Sequence, residues 1–157
     1  MSKIKVADFY YGAVLSMLFS HNIKPALIEN GSDRQVYDFT TNKAKFTLFV
    51  KYRSEKVETK KDGYSSWNFN LKNDIVELSK YLDDGKNLIL ALVCGSEDLR
   101  ESELAILDSN DISWLMFNNK STITISRKKG EKAFRIANGG SREGAYPIKC
   151  NRYEELF

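Results

Sequence analysis

Apolar and polar positions alternate most regularly in the segment between residues 34 and 53. From residue 45 to residue 53, apolar side chains occupy positions 46, 48, 50 and 52, and the positions between them are mostly polar. This period of two is typical of a β-strand. Residues 34–40 show a similar pattern, and Thr41-Asn42-Lys43 provides a turn between the two segments. The pattern therefore predicts an antiparallel hairpin.

Other patterns predict helices and a buried strand. Apolar residues recur at helical spacing in residues 8–20 and 73–82, and a short helix is expected at 101–107. Residues 88–94 are apolar at every position, which is typical of a strand covered on both faces and indicates the centre of a sheet. Further strands are predicted at 25–29, 66–71, 112–117, 122–127 and 133–137, and a last helical turn at 151–157.

The order of these elements predicts the fold class. A helix is followed by three strands, an extra strand, a helix, the buried strand and a C-terminal meander of three strands. We therefore predict an α+β fold with a mixed, mostly antiparallel sheet flanked by two or three helices. A chain of 157 residues has the usual length of one domain, so we expect residues 1–157 to form a single domain.

Composition and charge exclude few classes of function. The net charge of +3 is too small to indicate a nucleic-acid-binding protein, so a basic surface would have to come from clustering. No apolar run approaches the roughly 20 residues of a membrane span, and no segment resembles a secretion signal. The two cysteines lie far apart in the sequence, and the single histidine argues against a histidine-rich zinc site. We expect a cytoplasmic protein with no membrane partner.

The hairpin region contains residue types that metal-dependent nucleases use. If the turn is centred on Asn42, residues that face each other have numbers adding to 84, so Asp33 faces Lys51. The element order over residues 8–94 resembles the core of the PD-(D/E)XK endonuclease-like fold. That family carries a leading Glu, an Asp on the second strand and an acid-x-Lys triplet on the third. The resemblance implies that Glu29 and Asp33 would hold Mg²⁺ and that Lys51 would orient or activate water.

The triplet in this chain is Phe49-Val50-Lys51. A phenyl ring supplies no oxygen ligand, so the resemblance implies a degenerate site. We expect no catalytic residues, no metal and no cofactor, with Mg²⁺ bound only if the nuclease alternative holds. The other interpretation of Asp33 and Lys51 is a cross-strand surface pair worth under about 1 kcal/mol.

Two regions could form binding surfaces. With the register above, Phe49 and Lys51 share the outward face of the hairpin with other aromatic residues, and a helix is the expected cover. The loop that follows is basic and reaches Trp67, but acids interrupt it, so we favour a solvated loop. A second basic cluster lies at a predicted hairpin turn, is opposed only by Glu131, and is the best candidate for phosphate contacts. Its residues are Arg127, Lys128, Lys129, Lys132 and Arg135.

The sequence favours a non-catalytic intracellular binding protein that acts through a sheet face or basic loops. A protein partner is preferred because the net charge is small, and an inhibitor or immunity factor of the phage or mobile-element type is one form of this hypothesis. The alternatives are a nucleic-acid-binding protein and a metal-dependent nuclease with a degenerate PD-(D/E)XK site. The predicted binding residues are Phe49, Lys51, Arg53, Trp67, Arg127, Lys128, Lys129 and Lys132.

Overall fold

The structure, a computed structural model, describes residues 3–31, 33–59 and 63–156. Within these residues the chain forms four α-helices: α1 (Val6–Ser20), α2 (Ile75–Asp83), α3 (Ser109–Phe117) and α4 (Arg152–Leu156). The strands are β1 (Ala26–Asn30), β2 (Gln35–Thr40), β3 (Lys45–Arg53), β4 (Val57–Thr59), β5 (Tyr64–Asn70), β6 (Leu88–Cys94), β7 (Glu103–Leu107), β8 (Thr122–Lys128), β9 (Ala133–Ile136) and β10 (Tyr146–Lys149). None of the described helices is long and apolar enough to cross a membrane.

The first sheet, called sheet 1, has the strand order β1-β2-β3-β6-β7. β3 and β6 run parallel, and the other neighbours are antiparallel. A parallel pair needs a crossover connection, which β4, β5 and α2 provide here. The element order implied by the nuclease resemblance is therefore present, and the predicted pairing of residues 34–40 with residues 45–53 is confirmed.

Strand β6 lies between two hydrophobic cores. All seven of its residues are buried. Leu88, Leu90, Leu92 and Cys94 contribute to one core, and the alternate residues Ile89, Ala91 and Val93 contribute to the other. This period-two division explains why the segment is apolar at every position. The prediction that it lies inside a sheet with both faces covered is confirmed.

Helix α1 covers one face of sheet 1. Its buried residues include Tyr10, Val14 and Leu18, which are spaced four residues apart and therefore share one face of the helix. They belong to the same core as Tyr37 and Phe39 of β2. The prediction that a helix covers the aromatic residues of the hairpin is thus confirmed for β2.

The second sheet, called sheet 2, has the order β10-β9-β8-β5-β4, and its neighbouring strands are antiparallel. Its inner face packs with α2, α3 and the other face of sheet 1 to form the larger core. Its outer face is exposed at positions such as Asn68, Asn70 and Thr122. The α+β class and the mostly antiparallel pairing are confirmed, although two sheets form instead of the one that was predicted.

Two predicted elements were wrong. Residues 112–117 belong to α3, whereas residues 101–107 form the end of a 3₁₀ turn and β7. The side chains of Asp108 and Asp111 each accept a hydrogen bond from the other's backbone amide at 3.0 Å, a reciprocal cap that starts a helix. The meander predicted from 112 to 137 instead consists of β8, β9 and β10.

The hairpin register also differs by one residue from the prediction. The loop spans residues 41–44 and is closed by a hydrogen bond from Thr41 N to Ala44 O at 2.9 Å. Partners in the ladder therefore have numbers adding to 85, so Asp38 lies opposite Thr47 and Val36 opposite Phe49. A shift of one residue moves side chains to the other face. The shift places Tyr37 and Phe39 on the face covered by α1, whereas Phe49 lies on the other face, which is buried in the core between the two sheets.

Candidate functional site

A network of ion pairs lies where the hairpin meets the start of α2. The side chains of Lys51 and Asp74 are 5% and 1% exposed, and Lys51 Nζ lies 2.6 Å from Asp74 Oδ2. Lys51 Nζ also lies 3.2 Å from the exposed Asp33 Oδ2. A charge this deeply buried is costly without a partner, so each ion stabilises the other in the folded state.

Arg34 completes the network from the outer side. Its guanidinium donates to both carboxylate oxygens of Glu29, at 2.5 and 3.0 Å, to Asp74 Oδ1 at 2.9 Å and to Glu77 Oε1 at 2.5 Å. The carbon of the guanidinium lies 5.3 Å from the centroid of the Phe49 ring. The hydrogen bond with Arg34 lowers the pKa of Glu29, and the same bond is the main cause that raises the pKa of Arg34.

The three residues named by the nuclease alternative all belong to this network. Asp33 contacts Lys51 directly, whereas Glu29 is connected to Lys51 through Arg34 and Asp74. Arg34 occupies the carboxylate oxygens of Glu29, and Lys51 contacts Asp33, so these oxygens are already paired with cations of the protein. In the described part of the chain, no group of three or more His, Cys, Asp or Glu side chains is arranged to hold a metal ion.

The predicted pair of Lys51 with Asp33 is present, but it is not a simple surface pair. The Lys51 side chain is only 5% exposed, although Asp33 is 72% exposed, and its shorter ion pair is with the buried Asp74. The nuclease triplet would have a carboxylate at position 49, and no carboxylate is present there in this chain. Instead, Asp74 brings a carboxylate to Lys51 from the residue before α2.

Most of the binding residues predicted near the hairpin are buried. The exposed fractions of the whole residues are 0% for Phe49, 4% for Lys51 and 1% for Trp67. The indole N–H of Trp67 donates to Gly95 O at 2.7 Å. Arg53 is exposed and lies 3.2 Å from Glu55. Phe49 and Lys51 are buried because both faces of β3 are covered, and the alternation of β5 directs Trp67 into the core.

The second basic cluster lies at the turn between β8 and β9. Lys128, Lys129 and Lys132 are exposed, and none of the three forms an ion pair with a described residue. Gly130 adopts a φ of +80° in this turn. Arg127 is instead tied to the protein body by an ion pair with Glu103 and a hydrogen bond to a backbone carbonyl. The three lysines are therefore the members of the cluster that are free to contact a partner.

These lysines border the outer surface of sheet 2, which we call the open face. Residues that pair across neighbouring strands share a face, and those of the open face include Asn68 with Thr124, Ser66 with Ser126, and Arg135 with Ser126 and Pro147. None of the described strand side chains on the open face carries a carboxylate. The strand residues of this face are Val57, Tyr64, Ser66, Asn68, Asn70, Thr122, Thr124, Ser126, Lys128, Ala133, Arg135, Pro147 and Lys149.

Glu131 organises the basic end of the open face. Its carboxylate accepts hydrogen bonds from Arg142 at 2.6 and 3.0 Å, from Arg135 at 3.1 Å and from the backbone amide of Lys128 at 3.1 Å. The hydrogen bonds from Arg142 are the main cause that lowers the pKa of Glu131 to about 2. Arg142 also donates to Ser126 Oγ at 3.0 Å. One carboxylate shared by two guanidinium groups leaves this end positively charged.

Charge is distributed unevenly along the chain. Residues 120–152, which contain β8, β9 and β10, have nine Lys and Arg but only two Glu. The remaining residues have fifteen Lys and Arg and nineteen Asp and Glu. The small net charge of the whole chain therefore combines a basic sheet 2 segment with an acidic remainder.

A separate basic cleft lies in sheet 1. It has a volume of about 590 Å³, and its lining includes Lys24, Lys45 and Lys86. It also contains Asp38, which accepts a hydrogen bond from Thr47. This cleft provides three exposed lysines with which the lysines of the open face can be compared.

Sequence reasoning missed Arg34, Asp74 and Glu77 as members of one ion network. Asp74 showed only a favourable position for an acid in the first turn of a helix, and nothing local indicates that it reaches Lys51, 23 residues earlier. Glu131 was recognised only as an acid opposed to the basic cluster. No local signal indicates its ion pairs with Arg135 and Arg142, because a spacing of four residues brings side chains together on a helix and Glu131 lies in a turn between two strands.

Comparison with known proteins assigns no family to this chain. No protein-family model, no curated protein and no solved structure matches it. Its function has to follow from its own residues and surfaces.

Proposed function

We propose that this protein is a non-catalytic binding protein whose partner is a nucleic acid. The partner lies against the open face and the three free lysines of the β8–β9 turn. The observation that carries this proposal is the group of cations on or beside the open face, in which Lys128, Lys129 and Lys132 form no ion pair with a described residue and Arg135 and Arg142 share the single carboxylate of Glu131. Lys and Arg that neutralise phosphates supply most of the affinity of such complexes, and clustering on one face is the relevant signature.

The charge distribution also changes the preference between partners. A protein partner was favoured from the sequence because the net charge of +3 is small. That sum conceals the basic segment, since most acids lie elsewhere in the chain. A protein with an acidic surface could contact the same lysines, so an acidic polypeptide is the control that separates the two partners. The inhibitor or immunity-factor hypothesis stays a prediction.

The ion network supports the absence of catalysis. Glu29, Asp74 and Glu77 accept hydrogen bonds from Arg34, and the Lys51 ammonium is buried between Asp74 and Asp33. Carboxylates held in this way by cations of the protein are not open ligands for Mg²⁺, which prefers near-octahedral oxygen coordination. A nuclease would need this network to rearrange.

The test is a fluorescence-anisotropy titration of a labelled 20-base-pair duplex at fixed salt. The wild-type protein is compared with the triple variant Lys128→Glu, Lys129→Glu and Lys132→Glu. The matched control is Lys24→Glu, Lys45→Glu and Lys86→Glu, which makes the same charge change in the sheet 1 cleft. We expect the first variant to lose at least about ten-fold in affinity, and the control to stay within about three-fold.

Three outcomes would overturn the proposal. The wild-type protein does not bind the duplex, or the control variant loses binding while the open-face variant retains it. In the third outcome, polyglutamate competes as effectively as unlabelled duplex at equal charge concentration, which would assign the basic surface to an acidic protein. Circular dichroism of each variant establishes that the fold is retained before affinities are compared.

A further inference from the structure

We infer that the nucleic acid is held through its phosphate and sugar groups, without base stacking and without recognition of base sequence. This inference rests on the proposed function, because it concerns the same open face. It specifies the chemistry that the surface recognises, namely an acceptor-rich backbone. The inference follows from three independent features of sheet 2, namely the positions of its aromatic rings, the hydrogen-bond state of its amides and its width.

The aromatic rings on the strands of sheet 2 are already engaged. Trp67, Phe69 and Phe134 are at most 2% exposed. The Tyr146 ring stacks on Trp114 with centroids 4.2 Å apart. Single-stranded nucleic acids are commonly bound by stacking of bases on exposed aromatic rings. These four rings are unavailable for that purpose.

The fifth ring, Tyr64, lies on the open face but has a protein partner. The Arg142 guanidinium is 5.0 Å from the ring centroid, and hydrogen bonds to Glu131 and Ser126 fix its position. A base could stack on this side of Tyr64 only by displacing Arg142 and breaking those bonds. Among the described side chains of the open face, none therefore offers a ready platform for a base.

The two amides of the open face are oriented as donors. Asn68 Oδ1 accepts a hydrogen bond from Thr124 Oγ1 at 2.7 Å, and Asn70 Oδ1 accepts one from Lys72 N at 3.0 Å. Recognition of adenine by Asn uses its amide oxygen and nitrogen together. Each oxygen is held by one partner within the protein, which fixes the orientation of the amide and leaves the NH₂ group toward the partner, where it suits the acceptor oxygens of phosphates and sugars.

Sheet 2 is also too wide to enter a groove of the duplex and reach the base edges. Five strands at a spacing of about 4.8 Å span roughly 19 Å, whereas the major groove of duplex DNA is about 12 Å wide and admits a helix or a two-stranded ribbon. The open face therefore rests on the backbone instead of entering a groove. Affinity should then follow charge density, which is higher in a duplex than in a single strand.

The experiment compares ligands of equal length with the wild-type protein. They are an A·T-rich duplex, a G·C-rich duplex, a mixed duplex and a mixed single strand, all 20 nucleotides long and at the same salt. We expect the three duplexes to agree within about three-fold and the single strand to bind several-fold more weakly. Tyr64→Leu should change single-strand affinity by less than about three-fold, whereas loss of a stacked base would cost about 5- to 150-fold.

The outcomes separate this inference from the proposed function. A difference of ten-fold or more among duplexes, tighter binding of the single strand, or a five-fold loss with Tyr64→Leu would overturn the inference while the proposed function stands. Failure of all four ligands to bind would overturn both. If Tyr64→Leu does not fold, the double variant Asn68→Ala and Asn70→Ala replaces it. Equal losses on all duplexes support backbone contact, and losses confined to the A·T-rich duplex contradict it.

Discussion

Replacing Lys51 with Met tests whether the ion network exists in solution. The substitution keeps most of the side-chain length but removes the ammonium group that lies 2.6 Å from Asp74 Oδ2. Asp74 is then left almost completely buried, with Arg34 as its remaining ionic partner at 2.9 Å. Breaking a buried pair costs about 3–5 kcal/mol, and we expect the lower end, about 3 kcal/mol, because Arg34 still neutralises part of the charge.

Urea denaturation at pH 7 measures this cost. With an m-value of about 2 kcal/mol/M, a loss of about 3 kcal/mol lowers the midpoint by roughly 1.5 M. The control Arg53→Met removes an exposed cation, and its side chain is 48% exposed beside Glu55. It should cost under about 1 kcal/mol. Lys51 and Arg53 lie on the same strand, so the comparison isolates burial.

A double variant provides the second half of the test. Lys51→Met combined with Asp74→Leu removes both charges, and such apolar replacements of buried pairs are often neutral or stabilising. We therefore expect the double variant to be more stable than Lys51→Met alone. A cost of less than 1 kcal/mol for Lys51→Met, or a double variant less stable than the single one, would refute the buried pair.

Three further predictions follow from the core, the Glu131 carboxylate and the ion network. Leu90→Ala should lower the free energy of unfolding by about 2–5 kcal/mol because Leu90 is fully buried, and thermal and urea denaturation would both show it. The pKa of Glu131 is lowered from 4.5 to about 2, so its stabilisation is present above pH 4.5 and is lost as the pH falls toward 2. This contributes at most about 3 kcal/mol, and Glu131→Gln should remove it, as denaturation midpoints between pH 2 and 6 would show. Mg²⁺ or Mn²⁺ should not promote cleavage of DNA or RNA by the purified protein, as gel analysis would show, and cleavage abolished by Asp33→Ala or Lys51→Ala would establish a nuclease.

Local sequence patterns were sufficient to predict those elements whose residues fit only one type of secondary structure. Residues 88–94 are apolar throughout, and the structure places them between two cores. The segment around Ile112 and Leu115 was ambiguous because a short apolar run fits either a strand or a helix. The reciprocal cap between Asp108 and Asp111 favours the helix over a strand in this segment.

The candidate site was less accessible to sequence reasoning because it depends on tertiary contacts. The hairpin was predicted, but a loop of four residues instead of three changes the register, and the second sheet, which was not predicted, covers the face that carries Phe49. The pairing of Lys51 with Asp74 depends on how α2 packs against sheet 1 after the β4–β5 crossover. The basic cluster was visible in the sequence because its lysines are adjacent. That they border a face whose described strand side chains carry no carboxylate was not visible, since this depends on which strands pair.

The salt dependence of duplex binding tests the central claim most directly. The dissociation constant of a 20-base-pair duplex is measured from about 50 to 200 mM salt for the wild-type protein and for the Lys128, Lys129 and Lys132 to Glu variant. Each phosphate contact contributes about 0.9 to the log–log slope, so loss of three contacts should reduce its magnitude by about 2.7. Equal slopes for the two proteins, or a wild-type affinity that does not depend on salt, would contradict a nucleic-acid partner at the open face.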